Sequence, residues 1–156
     1  MKSENGMGYI KVAIWTIIIA VFVAGGIYFM RMQLEHARAK TIKTNMLLVE
    51  WKIKEYEEKQ KVAKQDLVCI GMKVSDMQND PEVKRLIDNG IIGSENYEKY
   101  YVLNDEDLQK LDLGISNEEG SYYVVNYETN DILITRGCKY SKNKILYRLS
   151  DIEAEQ

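Results

Sequence analysis

The sequence predicts an α+β protein: one long N-terminal helix, part membrane-spanning and part amphipathic stem, packed on a small antiparallel sheet with short helices. Three observations carry that prediction. None of the 21 basic and 24 acidic side chains falls in residues 12–30, VAIWTIIIAVFVAGGIYFM. No Gly or Pro interrupts residues 27–70, where apolar residues recur at near-helical spacing. Two β-rich runs, SYYVVNYE and DILITRG, flank a short polar Thr129-Asn130 turn.

Residues 1–11, MKSENGMGYIK, form a polar leader or N-terminal tail. The 19 residues that follow, fenced by Lys11 and Arg31, rise about 29 Å as a helix, close to the hydrocarbon thickness of a bilayer. A helix alone satisfies its own backbone there. Trp15 and Tyr28 stand near the two ends, where interfacial aromatics belong. A single-pass anchor fits better than a cleaved secretory signal, because the apolar run is long for a signal core. It also fits better than a buried core helix, because every face is apolar.

Residues 31–65 read as an amphipathic stem. Leu34, Ala37, Ile42, Met46, Val49, Ile53 and Tyr56 form an apolar stripe that Leu47, Leu48 and Trp51 broaden, and the helix should end near Lys64. Residues 66–156 form the α+β head. After the apolar run 67–70 and a turn at Gly71, Asp80 and Pro81 mark a helix start and Gly90 its stop. Residues 100–103 read as a strand, and Asn104 or Asp105 caps a short helix ending near Gly114. The hairpin follows. The polar stretch 139–144 then leads to a last strand over residues 145–149.

Charge is unevenly divided. The stem carries nine basic and five acidic residues, a net +4, and the head ten basic and 18 acidic, a net −8. A solvated helix face explains the basic stem most simply; contact with anionic lipid or an acidic partner is the functional reading. An overall charge of −3 excludes a nucleic-acid footprint across the whole chain. A hydrophobic content of 46% argues against global disorder.

Chemistry-bearing motifs are scarce. One histidine, His36, and two cysteines cannot furnish a four-ligand metal site, and neither a cofactor nor catalytic residues are expected. The run Asn104-Asp105-Glu106-Asp107 lacks the spacing of a calcium loop. Asp105/Asp107 and Glu118/Glu119 read as caps and solvated loop residues. Cys69 and Cys138 are buried small hydrophobes if the head is cytoplasmic; in an exported head they are candidates for one disulfide. The eleven tyrosines, eight of them in the head, suit a pleated surface and also a protein- or glycan-contacting face.

The leader MKSENGMG, the apolar segment, the stem around KTNMLLVEWKIKEY and the hairpin YYVVNYETNDILITRG together resemble the type IV pilin-like proteins. That group includes the pseudopilins of type II secretion systems, and the stem and hairpin resemble its clostridial-type members. The resemblance implies a long helix laid on a small sheet, a leader cleaved after Gly6 or Gly8, and lateral assembly through the N-terminal helix. The family carries a glutamate five positions after the cleavage glycine. Here those positions hold Lys11 and Ala13, and lysine in the glutamate's place would repel a neighbour's amino terminus. The implied role is therefore a minor or non-filament structural subunit, not an enzyme. Its partners would be membrane lipid and other pilin-like or secretion-system proteins, as a homo- or hetero-oligomer.

Small residues at Ala20, Ala24, Gly25 and Gly26 offer close helix–helix approach within the membrane. The resemblance places the head outside the cell. The positive-inside count points the other way, because Arg31, Arg38, Lys40 and Lys43 follow the segment. Taken literally, it gives a single-pass protein whose cytoplasmic head recruits a protein partner.

Overall fold

The computed structural model describes residues 4–64, 66–118, 120–141 and 144–155, with side chains over residues 12–64, 66–118, 120–140 and 144–155. It is α+β, a long N-terminal helix and a five-stranded antiparallel sheet with short helices. The chain divides into two compact units, residues 1–38 and 39–156. The boundary falls inside the first helix, α1 (Glu4–Val62), and does not coincide with the end of the apolar run.

In the first unit, helix begins at Glu4, so the predicted polar tail is helical over most of its length. Beyond it, every large apolar side chain from Val12 to Leu34 is exposed. The Thr16 hydroxyl donates to the Val12 carbonyl at 2.9 Å, so this polar group is satisfied within its own helix. The segment is long and apolar enough to cross a membrane, and none of its most apolar window is buried in protein.

The second unit begins with the remainder of α1. Ile42, Met46, Val49 and Ile53, spaced four, three and four residues apart, lie on one helical face and are buried. Leu47, Leu48 and Trp51 are exposed and form a separate apolar patch. The expected single broad stripe is thus two surfaces. At 100° per residue, one stripe that wide cannot all face one sheet.

The sheet is a sequential meander, with strand order β1-β2-β3-β4-β5. β1 (Met72–Lys73) and β2 (Tyr100–Leu103) pair antiparallel, Met72 opposite Val102. β3 (Tyr123–Asn126) pairs with β2, and β4 (Asp131–Ser141) with β3, Val124 opposite Leu133. β5 (Lys144–Arg148) closes the far edge.

Strand alternation splits the core in two. Leu103, Tyr123, Val125, Ile132 and Ile134 pack with the stem's buried face. Tyr100, Val102, Val124 and Leu133 face the other way, toward Val83 and Leu86 of α2 (Pro81–Asp88), with Val74 and Ile92. A sheet covered on both sides explains why β3 is buried at all four positions.

Helix α2 starts as expected. The Asp80 carboxylate accepts from the amides of Glu82 and Val83, and Pro81 takes the first position. α3 (Asp105–Lys110) is capped by Asn104 rather than Asp105, in a capping box with Asp107. Residues 67–70, the apolar run, are irregular. Against expectation, β4 continues through residues 139–141, and a terminal helix α4 (Leu149–Ala154) buries Leu149 and Ile152.

Candidate functional site

The structure does not gather the sequence-predicted positions into one site. Gly6 and Gly8 lie within α1. Ala20, Ala24, Gly25 and Gly26 lie on its exposed apolar segment, and a Cβ added at either glycine would meet nothing within 4 Å. The small residues therefore leave an open surface where a second helix can approach closely.

The two cysteines considered for a disulfide lie apart. Cys69 and Cys138 are both free thiols. Cys138 Sγ lies 4.0 Å from the Ala39 carbonyl, whereas the segment holding Cys69 is tied to Tyr56, whose hydroxyl donates to the Val68 carbonyl at 3.0 Å. Ala39 and Tyr56 are roughly 25 Å apart along the helix. A disulfide needs Cα atoms within about 7 Å, so the two thiols belong to opposite ends of the head. Burial pushes both thiols above their ordinary range, which leaves neither a ready thiolate.

Clefts among the described residues include two with polar walls. One, of about 450 Å³, is lined by Asn104, Asp105, Glu106, Asn117, Ser121 and Tyr122, among others. Its walls are held by Asn117, whose backbone amide donates to Asp105 at 2.7 Å and whose side-chain amide donates to the Leu103 carbonyl at 3.0 Å. Of the acidic residues here, Asp105 is engaged by Asn117, and Asp105 and Glu106 stand in the first turn of α3. Among the described residues no group of three or more His, Cys, Asp or Glu side chains is placed to hold a metal ion.

The second cleft, about 430 Å³, contains a network that the sequence did not signal. The Tyr100 hydroxyl donates to Asp131 at 2.7 Å, and Arg148 contacts the same carboxylate at 3.3 Å while donating to the Ile91 carbonyl at 3.2 Å. Three strands and the segment after α2 are thereby joined through one charge. Asp131 is held from two sides and Arg148 is engaged twice, so the arrangement is a brace rather than an acid–base pair. No sequence signal short of the strand register connects these residues.

Burial, and then the Asp131 carboxylate, push the Tyr100 hydroxyl up to about 12. Tyr127 and Tyr123 are raised as well, mainly by burial. In the unfolded chain these phenols ionise near pH 10. A proton held more tightly in the native state means stability that is intact below that pH and lost as pH rises through the folded values. Urea midpoints should thus be level between pH 7 and 9 and fall steeply above about pH 10. The phenolate absorbance of Tyr100, Tyr123 and Tyr127 should rise with unfolding rather than before it; ionisation of Tyr100 near pH 10 in the native protein would refute the brace.

Exposed apolar surface among the described residues includes the segment from Val12 to Leu34 and the stem patch. Trp51 is 58% exposed, and Leu47 and Leu48 flank it one turn earlier. Lys52 Nζ lies 5.2 Å from the Trp51 ring centre, a cation–π contact at the patch edge. Sequence periodicity flagged these apolar residues but assigned them to the core. No protein-family model, curated protein or solved structure matches this chain.

Proposed function

We propose that this chain is a single-pass, membrane-anchored structural subunit of pilin-like type, a minor or non-filament member of a secretion- or pilus-type assembly. Its apolar helix and the outer face of its stem would pack against other membrane subunits. The observation that carries the reading is an α1 segment that is apolar on every face and uncovered on every face. The exposed patch of Leu47, Leu48 and Trp51 supports it, because the head leaves these side chains for another helix to cover. The resemblance of leader, stem and hairpin to pilin-like proteins supplies the type of assembly.

A second reading has one observation in its favour. The four basic residues at 31–43 favour retention of the head in the cytoplasm, where it would recruit a protein partner. Two separated free thiols are compatible with that compartment.

One experiment separates the two. A photo-crosslinking amino acid replaces Trp51 in the full chain in cells. The assembly reading expects adducts with a second copy or with another helical membrane protein. Adducts confined to a soluble cytoplasmic protein would transfer support to the recruiter. With no adduct from position 51 under conditions where the probe reacts, the assembly surface would be rejected.

A further inference from the structure

We infer that the cleft between the start of α3 and the loop entering β3 is a binding site for a guanidinium group, supplied by an arginine side chain of a protein partner or by a free guanidinium compound. The site lies wholly within the head and needs neither a membrane nor a second copy, so it stands apart from the function proposed above. Its walls set the charge of what can enter. Asp105 and Glu106 come from the first turn of α3 and Glu118 from the loop, and no described residue lining this cleft of about 450 Å³ is basic. Lys110 is held by Asp107 at 2.9 Å and lies outside the lining. Glu82 stands beside Gly120 but is paired with Arg85 at 2.8 Å, so its charge is balanced within the head. Three carboxylates facing one cleft repel an anion and favour a cation.

A second observation is independent of charge. Ser121 lines the same cleft and is only 2% exposed, and its Oγ has no hydrogen-bond partner. A buried hydroxyl left unpaired costs free energy that a bonded ligand restores. Neighbouring groups in the loop are matched within the head. The Ser121 amide donates to the Glu118 carbonyl at 2.9 Å, the Tyr122 amide to the Thr135 hydroxyl at 2.9 Å, and the Asn117 side-chain amide to the Leu103 carbonyl. The hydroxyl is the exception, and it lies in the wall of an acidic cleft.

The spread of the acceptors selects the kind of cation. Three acidic side chains line the cleft, yet among the described residues no such group is close enough to share a metal ion. A guanidinium carries five N–H donors in a rigid planar fork, so it can serve separated carboxylates and a hydroxyl at once. An ammonium is a compact point charge and cannot span them. Tyr122, half-buried in the same lining, adds an aromatic wall of the kind on which guanidinium groups stack.

The full chain in a zwitterionic detergent micelle is titrated with ethylguanidinium, with ethylammonium and with a blocked Gly-Arg-Gly peptide, and backbone amide shifts are followed by NMR. Saturable shifts centred on Asn117, Ser121 and Tyr122 are expected with both guanidinium probes. Tighter binding of the peptide identifies a protein side chain as the source; tighter binding of ethylguanidinium identifies a small cation. Ser121→Ala should weaken binding about tenfold, through loss of a bond to a charged group. Glu106→Gln, at an exposed position, should weaken it about two- to fivefold. In the empty protein Ser121→Ala should leave the urea midpoint level or raise it, because it removes an unpaired hydroxyl, and this separates lost binding from lost fold. Shifts that never saturate, or that sodium chloride reproduces at equal ionic strength, overturn the site. Ethylammonium binding as tightly as ethylguanidinium, or an affinity unchanged in Ser121→Ala, also overturns the inference.

Discussion

Met46→Ala is expected to lower the unfolding free energy of the head by about 2–5 kcal/mol, the range for emptying a closed core position. The adjacent Leu47→Ala is expected to cost less than about 1 kcal/mol. Met46 is fully buried, in the cluster that joins the stem to the sheet through Val49, Ile53, Tyr123, Val125, Ile132 and Ile134. Leu47 lies 100° around the same helix, 37% exposed, outside that cluster. Helix propensity cannot produce the contrast, since alanine is the better helix former at both positions. Chemical denaturation of the full chain in a membrane mimetic, read by near-ultraviolet dichroism of the sheet tyrosines, gives both values. Equal losses at 46 and 47 would mean that the stem is rotated or not seated on the sheet at all. A deficit confined to Met46→Ala would establish the register and leave the Leu47 face for intermolecular packing.

The same pair of residues marks a limit of periodic reading. Leu47, Leu48 and Trp51 are as apolar as the core residues beside them, and the sequence alone assigned all of them to one stripe. A helix wrapped by apolar residues through more than half its circumference has too many candidates for one sheet. Which subset is buried depends on the facing strands, whose side chains come from residues 100–134. Local signals performed better where the chemistry is local. Asp80-Pro81 starts a helix because one carboxylate caps two amides and proline lacks the donor that would be lost. Residues 100–103 form a strand with the bounds the pattern implies.

Failures concentrate where strand pairing departs from regularity. β4 advances five residues from Leu133 to Cys138 while β5 advances two from Leu146 to Arg148, so the pairing is bulged. Gly137, at φ +73°, sits in that bulge, with Ile145 and Tyr147 packed over the space a side chain would occupy. A glycine followed by CKYSKNK resembles the end of a strand, yet the strand continues because the partner accommodates the extra residues. The Tyr100–Asp131–Arg148 brace was hidden for the same reason. It joins residues more than 15 positions apart whose proximity is a consequence of register, not of spacing in the chain.

Gly71→Ala carries the second large expected loss, about 2–4 kcal/mol, from backbone strain and steric overlap together. Gly71 has φ +109°, a region that residues with a Cβ rarely enter. An added Cβ would stand 2.7 Å from the Val102 carbonyl oxygen and 3.0 Å from a Leu103 methyl. The first of these neighbours is backbone in a paired strand and cannot swing aside. The residues just before it are fixed as well: the Tyr127 hydroxyl donates to the Ile70 carbonyl at 2.8 Å and accepts from the Ile70 amide at 3.0 Å. Relief of the clash would have to pull β1 off β2 or break these bonds.

Gly90 supplies the internal comparison. It too has positive φ, +66°, but a Cβ there would meet nothing within 4 Å. Gly90→Ala should therefore show the conformational cost alone, about 1 kcal/mol. The difference between the two variants isolates the contact with Val102. If denaturation gives equal costs at 71 and 90, the edge strand yields to the added methyl, and β1 is held more loosely than its pairing with Val102 implies. If Gly71 costs the larger amount, the return from stem to sheet is a rigid joint, set by a hydroxyl on one side and a carbonyl on the other.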